Sequence, residues 1–134
     1  MKSMLFAFTW CVVGMIVLGA VPVSAENTGY AYVFAYSHRL KAAYFSSIIT
    51  HPAEGQSLSE KEYHADIKMI RQMEDALEKH LRTNLQLNSA LFSFSARTGY
   101  KTEAYALRQL EADKADLRRQ GLEIKLLPDF SFNP

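Results

Sequence analysis

The sequence predicts an α+β domain, built as a two-layer sandwich with two helices on one face of a four-stranded mixed sheet. Three observations carry this. The first stretch after the N-terminal segment alternates with period two over Tyr30–Ser37, and a long apolar stripe of period 3.6 follows over Ser59–Leu85. A second helical run, Thr102–Gln120, lies between two short β-rich runs. The element order is then β-β-α-β-α-β, and a strand–helix–strand connection over residues 90–127 suits two parallel strands. Helices gathered on one face of a mixed sheet give the two layers.

The N-terminus is of another kind. Lys2 precedes an apolar run from Met4 to Leu18, followed by Gly19, Ala20, Pro22 and the small residues Val23-Ser24-Ala25. A basic start, a hydrophobic middle and small residues at positions −3 and −1 describe a secretory signal peptide cleaved after Ala25. The run is shorter than the ~20 apolar residues of a spanning helix, which argues against a retained anchor. Residues 1–25 are thus expected to be removed, leaving a single domain over 26–134. Cys11, the one cysteine, goes with the signal, so no disulfide is expected to staple the domain.

Charge narrows the function. Of 15 lysines and arginines one is Lys2, which leaves the mature domain balanced against its 14 aspartates and glutamates. A neutral domain lacks the basic stripe that grips nucleic acid, so no nucleic-acid partner is expected. Membrane contact is expected only through the signal peptide before cleavage.

Tyr30, Tyr32, Phe34 and Tyr36 fall on one side of the first strand and Ala31, Val33, Ala35 and Ser37 on the other. The polar patch His38-Arg39-Leu40-Lys41 turns the chain into a second β-rich run, Ala42–Thr50, as a hairpin. His51-Pro52 ends it, and Pro52–Ser57 reads as a loop around Gly55. In the first helix Tyr63, Ile67, Ile70, Leu77, Leu81 and Leu85 share a face, and Ser59 with Glu62 three residues on has the spacing of a capping box. At 1.5 Å per residue that helix would be roughly 37 Å long, so its end overhangs the sheet or breaks near Asn84. Ala90–Ala96 reads as a strand and Arg97–Lys101 as a turn around Gly99. Thr102 caps the second helix, whose stripe Leu107, Leu110, Leu117 is interrupted by Lys114. Gly121 stands at the left-handed C-cap position behind Arg118 and Arg119. Leu122–Leu127 is the last strand, and Phe130 and Phe132 follow either as a short edge strand or packed on the sheet.

No catalytic or cofactor signature stands out. Glu60 and His64 are one helical turn apart and His51 and Glu54 precede them, but a zinc site needs three or four converging ligands, so no metal is expected. Ser46 and Ser47 lack a nucleophile elbow, and Thr98-Gly99-Tyr100 is too short to cradle a phosphate. No cofactor is expected.

Two features break the rules. Glu74 falls inside the apolar stripe, either rotated to water or a base, or as a partly buried acid of raised pKa. The aromatic side of the first strand is either core with phenol hydroxyls at its rim or an exposed platform widened by Tyr44. Tyr30, Tyr32, Tyr36, Tyr44 and Glu74 are therefore the candidate ligand or partner surface. These features suggest an exported, non-catalytic binding or protein-interaction module of a bacterial cell envelope, periplasmic or secreted, whose partner is a protein or small molecule. The alternatives are a small secreted hydrolase or toxin-like enzyme using Glu74 or a histidine, and a structural subunit of an envelope assembly.

Overall fold

The structure, a computed structural model, describes residues 28–53 and 56–134. The signal-peptide reading of residues 1–25 and the candidate ligand Glu54 lie outside the described residues. The order is β1 (Thr28–Ser37), β2 (Ala42–Phe45), β3 (Ile49–Pro52), α1 (Ile67–Thr83), β4 (Ser93–Tyr100), α2 (Glu103–Arg119) and β5 (Glu123–Leu126), with a short 3-10 turn at Ser89–Leu91. The α+β class and the mixed sheet are as the sequence predicts.

β1 is the centre of the sheet. β4 pairs along one edge of it, while β2 and β3 share the other, all antiparallel, and β5 adds to β2 in parallel. β4 and β5 therefore run in the same direction, joined through α2. The hairpin is the predicted one, with Ser37 opposite Ala42 across the loop His38–Lys41, where Lys41 takes φ 54°.

The sheet has five strands rather than four, because the run Ala42–Thr50 is broken. Phe45 pairs with Phe34 and Ile49 with Ala31, which leaves one extra residue between β2 and β3. Ser46 holds this bulge: its backbone N–H donates to the Val33 carbonyl, and its Oγ accepts from the Val33 N–H at 2.9 Å.

The helices lie on opposite faces of the sheet, which makes three layers instead of two. Ala31, Val33 and Ala35 pack with Met69, Met73, Leu77 and Leu81 of α1. Tyr32 and Phe34 pack with Ala106, Leu110 and Leu117 of α2. Since successive side chains of a strand point to opposite faces, the two cores are separated by the sheet. The cause is in β1 itself: it alternates large with small rather than apolar with polar, and a strand apolar on both faces needs cover on both.

α1 starts later than Ser59. Asp66 is its N-cap, accepting from the Met69 N–H at 3.1 Å, and it ends at Asn84. The Ser59 hydroxyl does accept from the Glu62 N–H (3.1 Å), but in a tight turn that folds Ser57 back onto Tyr63. That strap then extends the end of β4: Tyr63 N–H donates to the Gly99 carbonyl (2.7 Å) and Lys101 N–H to the Lys61 carbonyl (2.9 Å). The buried face of α1 is centred on Met69 and Met73, while Ile67 is 61% exposed. Methionine fills irregular core space as a long flexible apolar side chain, and this rotation moves Glu74 to the flank.

β4 also runs through the expected turn. Tyr30 pairs with Tyr100 but Tyr32 with Arg97, so Thr98 and Gly99 together face Ala31, with Gly99 at φ +82°. Gly99 is a bulge within the strand, a position that suits glycine because a left-handed φ is strained for other residues. α2 follows its local chemistry, with Thr102 accepting from the Tyr105 N–H and Gly121 at φ +87°. Leu107 is exposed and Lys114 buried, the reverse of the predicted stripe. Phe130 and Phe132 pack on the α1-side core, Phe130 edge-to-face with His80 at 5.4 Å.

Candidate functional site

The candidate surface residues do not form one site. Tyr32 is fully buried under α2, Tyr30 and Tyr36 pack half-buried around the same core, and Tyr44 points to the other face against Phe92. The aromatic side of β1 is thus core, covered by α2 rather than presented as a platform. Ring stacking orders it: Phe34 lies 4.7 Å from Phe45 at 9°, and Tyr32 lies 6.1 Å from Tyr100 at 14°.

The buried phenols are satisfied. Tyr32 Oη donates to Asp113 Oδ2 at 2.5 Å, and Arg97 Nε reaches the same oxygen at 3.5 Å. Burial is the largest influence on Tyr32 and pushes its hydroxyl far above the ordinary phenol value; the bond to Asp113 adds to this. Tyr100 is raised too, mainly by burial, against an opposing hydrogen bond with Tyr32 and the charge of Arg97. Both phenols therefore stay protonated at neutral pH, and Tyr32 is the donor to Asp113.

Glu74 reaches the outer edge of β4. Burial holds its carboxyl above the ordinary 4.5 and Asp75 adds to the shift, while the Ala96 N–H and the Arg71 guanidinium oppose it. A folded carboxyl that binds its proton at higher pH than the unfolded one makes stability fall as pH rises through the window just above 4.5. Glu74→Gln, which keeps an oxygen for Ala96, should thus be at least as stable as the parent at neutral pH. The two should converge below about pH 4, where both side chains are uncharged. Urea unfolding midpoints at the two pH values check this, and a variant less stable at neutral pH would contradict it.

A cleft of about 910 Å³ opens where the ends of β3 and β4 meet the strap and the first turn of α1. Tyr63, His64, Lys68, Gln72 and Thr98 line it. His51 forms its inner wall, buried, with Nε2 accepting the Gly99 N–H at 3.3 Å and Nδ1 2.9 Å from the Pro52 carbonyl. An Nε2 that accepts and an Nδ1 that donates assign the neutral Nδ1–H tautomer. Thr98 is 9% exposed, and its Oγ1 has no hydrogen-bond partner among the described residues.

A smaller groove of about 400 Å³ lies along β4, lined by Glu62, Ala65, Ile70, Ala96, Arg97, Thr98, Tyr100, Gln109 and Asp113. Among the described residues no group of three or more His, Cys, Asp and Glu could hold a metal, and no helix is long and apolar enough to cross a membrane.

Asp113, Arg97, Thr98 and the pairing of His51 with Gly99 escape sequence reasoning. Asp113 was within reach of it, since it falls on the line Ala106, Leu110, Asp113, Leu117, an acid inside a buried stripe as Glu74 was expected to be. The others depend on register between distant strands. No protein-family model matches the chain, and neither a curated protein nor a solved structure matches it.

Proposed function

We propose that this protein is an exported, non-catalytic binding module of a bacterial cell envelope, and that its ligand enters the cleft beside Thr98. The observation that supports this is a cleft of about 910 Å³ whose wall includes Thr98, a residue with a buried Oγ1 that has no partner among the described residues. A hydroxyl removed from water without a partner costs about 1–3 kcal/mol, a cost that a bound ligand's polar group would relieve. The other walls mix the side chains of Met69, Ala53 and Pro52 with Lys68 and Gln72, which suits a small, partly apolar molecule with a few polar groups.

The test is substitution of that hydroxyl by a methyl group. Thr98→Val should raise the stability of the ligand-free domain by about 1 kcal/mol. In native mass spectra of protein recovered from the expressing cells, the parent should carry a small-molecule adduct that the variant lacks. A parent without adduct, together with a variant that is less stable, would overturn the reading. Export is checked separately by the mass of the mature chain, which should begin at Glu26; an intact Met1 in the membrane fraction would contradict it.

A further inference from the structure

The outer edge of β4 leaves backbone hydrogen-bonding capacity unused, as do the outer edges of β3 and β5. β1 has partners on both edges and β2 is flanked by β1 and β5, whereas β4 is paired along its length with β1 alone. Val33 directs its N–H and its carbonyl to Ser46, away from β4. Ala96, opposite Val33, therefore holds a non-hydrogen-bonded position in the β1–β4 ladder and turns its own N–H and carbonyl outward. Phe94, two residues earlier on the same strand, does the same. Beyond Thr98 the edge is closed by the strap, through Tyr63 and Lys61.

The groove of about 400 Å³ follows this edge. Its floor is Ala96, Arg97 and Thr98; Ala65 and Ile70 stand on the α1 side, and Gln109 and Asp113 on the α2 side. A groove with a strand edge for a floor and two helix flanks for walls has the shape of one further extended chain.

Charge selects what that chain carries. Glu62 at the closed end of the groove, and Glu74 on α1 one turn beyond Ile70, have no salt-bridge partner among the described residues. Of the nearby cations Arg97 is paired with Asp113 and Arg71 stands beside Glu74, while Lys61 lies over the Tyr105 ring and Lys101 over the Tyr63 ring. The Glu74 carboxyl lies toward the Ala96 N–H, which favours its ionised form. An entering strand would give Ala96 a backbone carbonyl in its place and free the carboxylate for a cation. A second copy pairing β4 against β4 would instead bring these acids together, which disfavours self-association.

We propose that the free edge of β4 is a docking site for an extended basic segment of another protein, which joins the sheet as an added strand flanked by Glu62 and Glu74. This site is separate from the ligand read for the cleft, apart from Thr98 at the shared wall.

The probe is a short synthetic peptide alternating lysine with valine and threonine, titrated against the full mature domain. Saturable binding below about 1 mM is expected, with amide hydrogen exchange at Phe94 slowed about tenfold in the complex. Glu62→Gln combined with Glu74→Gln should weaken it about tenfold without lowering the unfolding midpoint, and a glutamate-for-lysine peptide should bind at least as much more weakly. A peptide of the same sequence with all its amides methylated should not bind, because strand addition needs backbone donors. Equal binding by the methylated peptide would mean charge attraction alone and would overturn the proposal. So would the absence of saturable binding, or protection elsewhere than on β4.

Discussion

Phe45→Ala is expected to cost about 3–5 kcal/mol, a large share of the 5–15 kcal/mol that holds a domain of this size together. Phe45 is fully buried and closes β2 just before the bulge, opposite Phe34 and stacked on it at 4.7 Å. Its backbone carbonyl accepts from the Leu127 N–H, so the strand cannot move inward to fill the space the ring leaves. Lys114 also depends on it. Its side chain is 11% exposed, it pairs with Glu111 at 3.1 Å, and its ammonium lies 6.0 Å from the Phe45 ring centroid. Removing the ring takes away an attractive face from a cation with few alternatives. Urea unfolding should show a lower midpoint at unchanged slope, while Leu126→Ala, at a side chain 63% exposed, should stay within about 0.5 kcal/mol. A cost below about 1 kcal/mol for Phe45→Ala would mean that the aromatic layer under α2 is not a packed core.

The parts of the fold legible in the sequence are those decided locally. Thr102 and Gly121 bound α2 because a hydroxyl N-cap and a left-handed glycine act within one turn of chain. The hairpin is legible because Ser37 and Ala42 are neighbours in sequence as well as in the sheet. Where a local signal has two uses, sequence alone picks the wrong one. Ser59 and Glu62 have capping-box spacing, yet the same hydroxyl-to-amide bond closes a tight turn, and the strap's pairing with Gly99 and Lys101 selects the turn. The three-layer arrangement was available in β1, where no polar side chain separates Ala31 from Ala35 on either face. The two-layer expectation rests instead on gathering both helices on one face of the sheet, which the alternation of β1 does not require.

The candidate sites were less legible, for the same reason. Glu74 announces itself because a carboxylate interrupts a stripe, although the methionines that rotate α1 decide where it points. Thr98 gives no such sign: as the middle of an apparent turn it should be solvated, and only the bulge opposite Ala31 buries it. His51 likewise reads as the end of a strand until the pairing of β3 with β1, and of β1 with β4, brings it beside Gly99, 48 residues away.

That meeting sets up the other large effect, at Gly29. Gly29 is opposite His51 in the β1–β3 ladder, and the imidazole crosses over it to reach the Gly99 N–H beyond. A Cβ at Gly29 would stand 2.4 Å from His51 Cε1 and 2.6 Å from Nε2, distances that no packing tolerates. The ring is buried and tied at both nitrogens, so it cannot swing aside without leaving Gly99 unpartnered. Gly29→Ala should therefore cost about 2–4 kcal/mol, from overpacking and from a stranded backbone donor. His51→Ala alone should cost about 1–3 kcal/mol, since it strands the same donor and empties the ring's space. In the double variant the new methyl group finds that space vacant, so it should be no less stable than His51→Ala. The cycle then gives a coupling of about the whole Gly29→Ala cost, measurable from four urea unfolding curves. Additive losses would mean that Gly29 is needed for some reason other than the imidazole above it, and that the wall of the cleft is not held as this geometry requires.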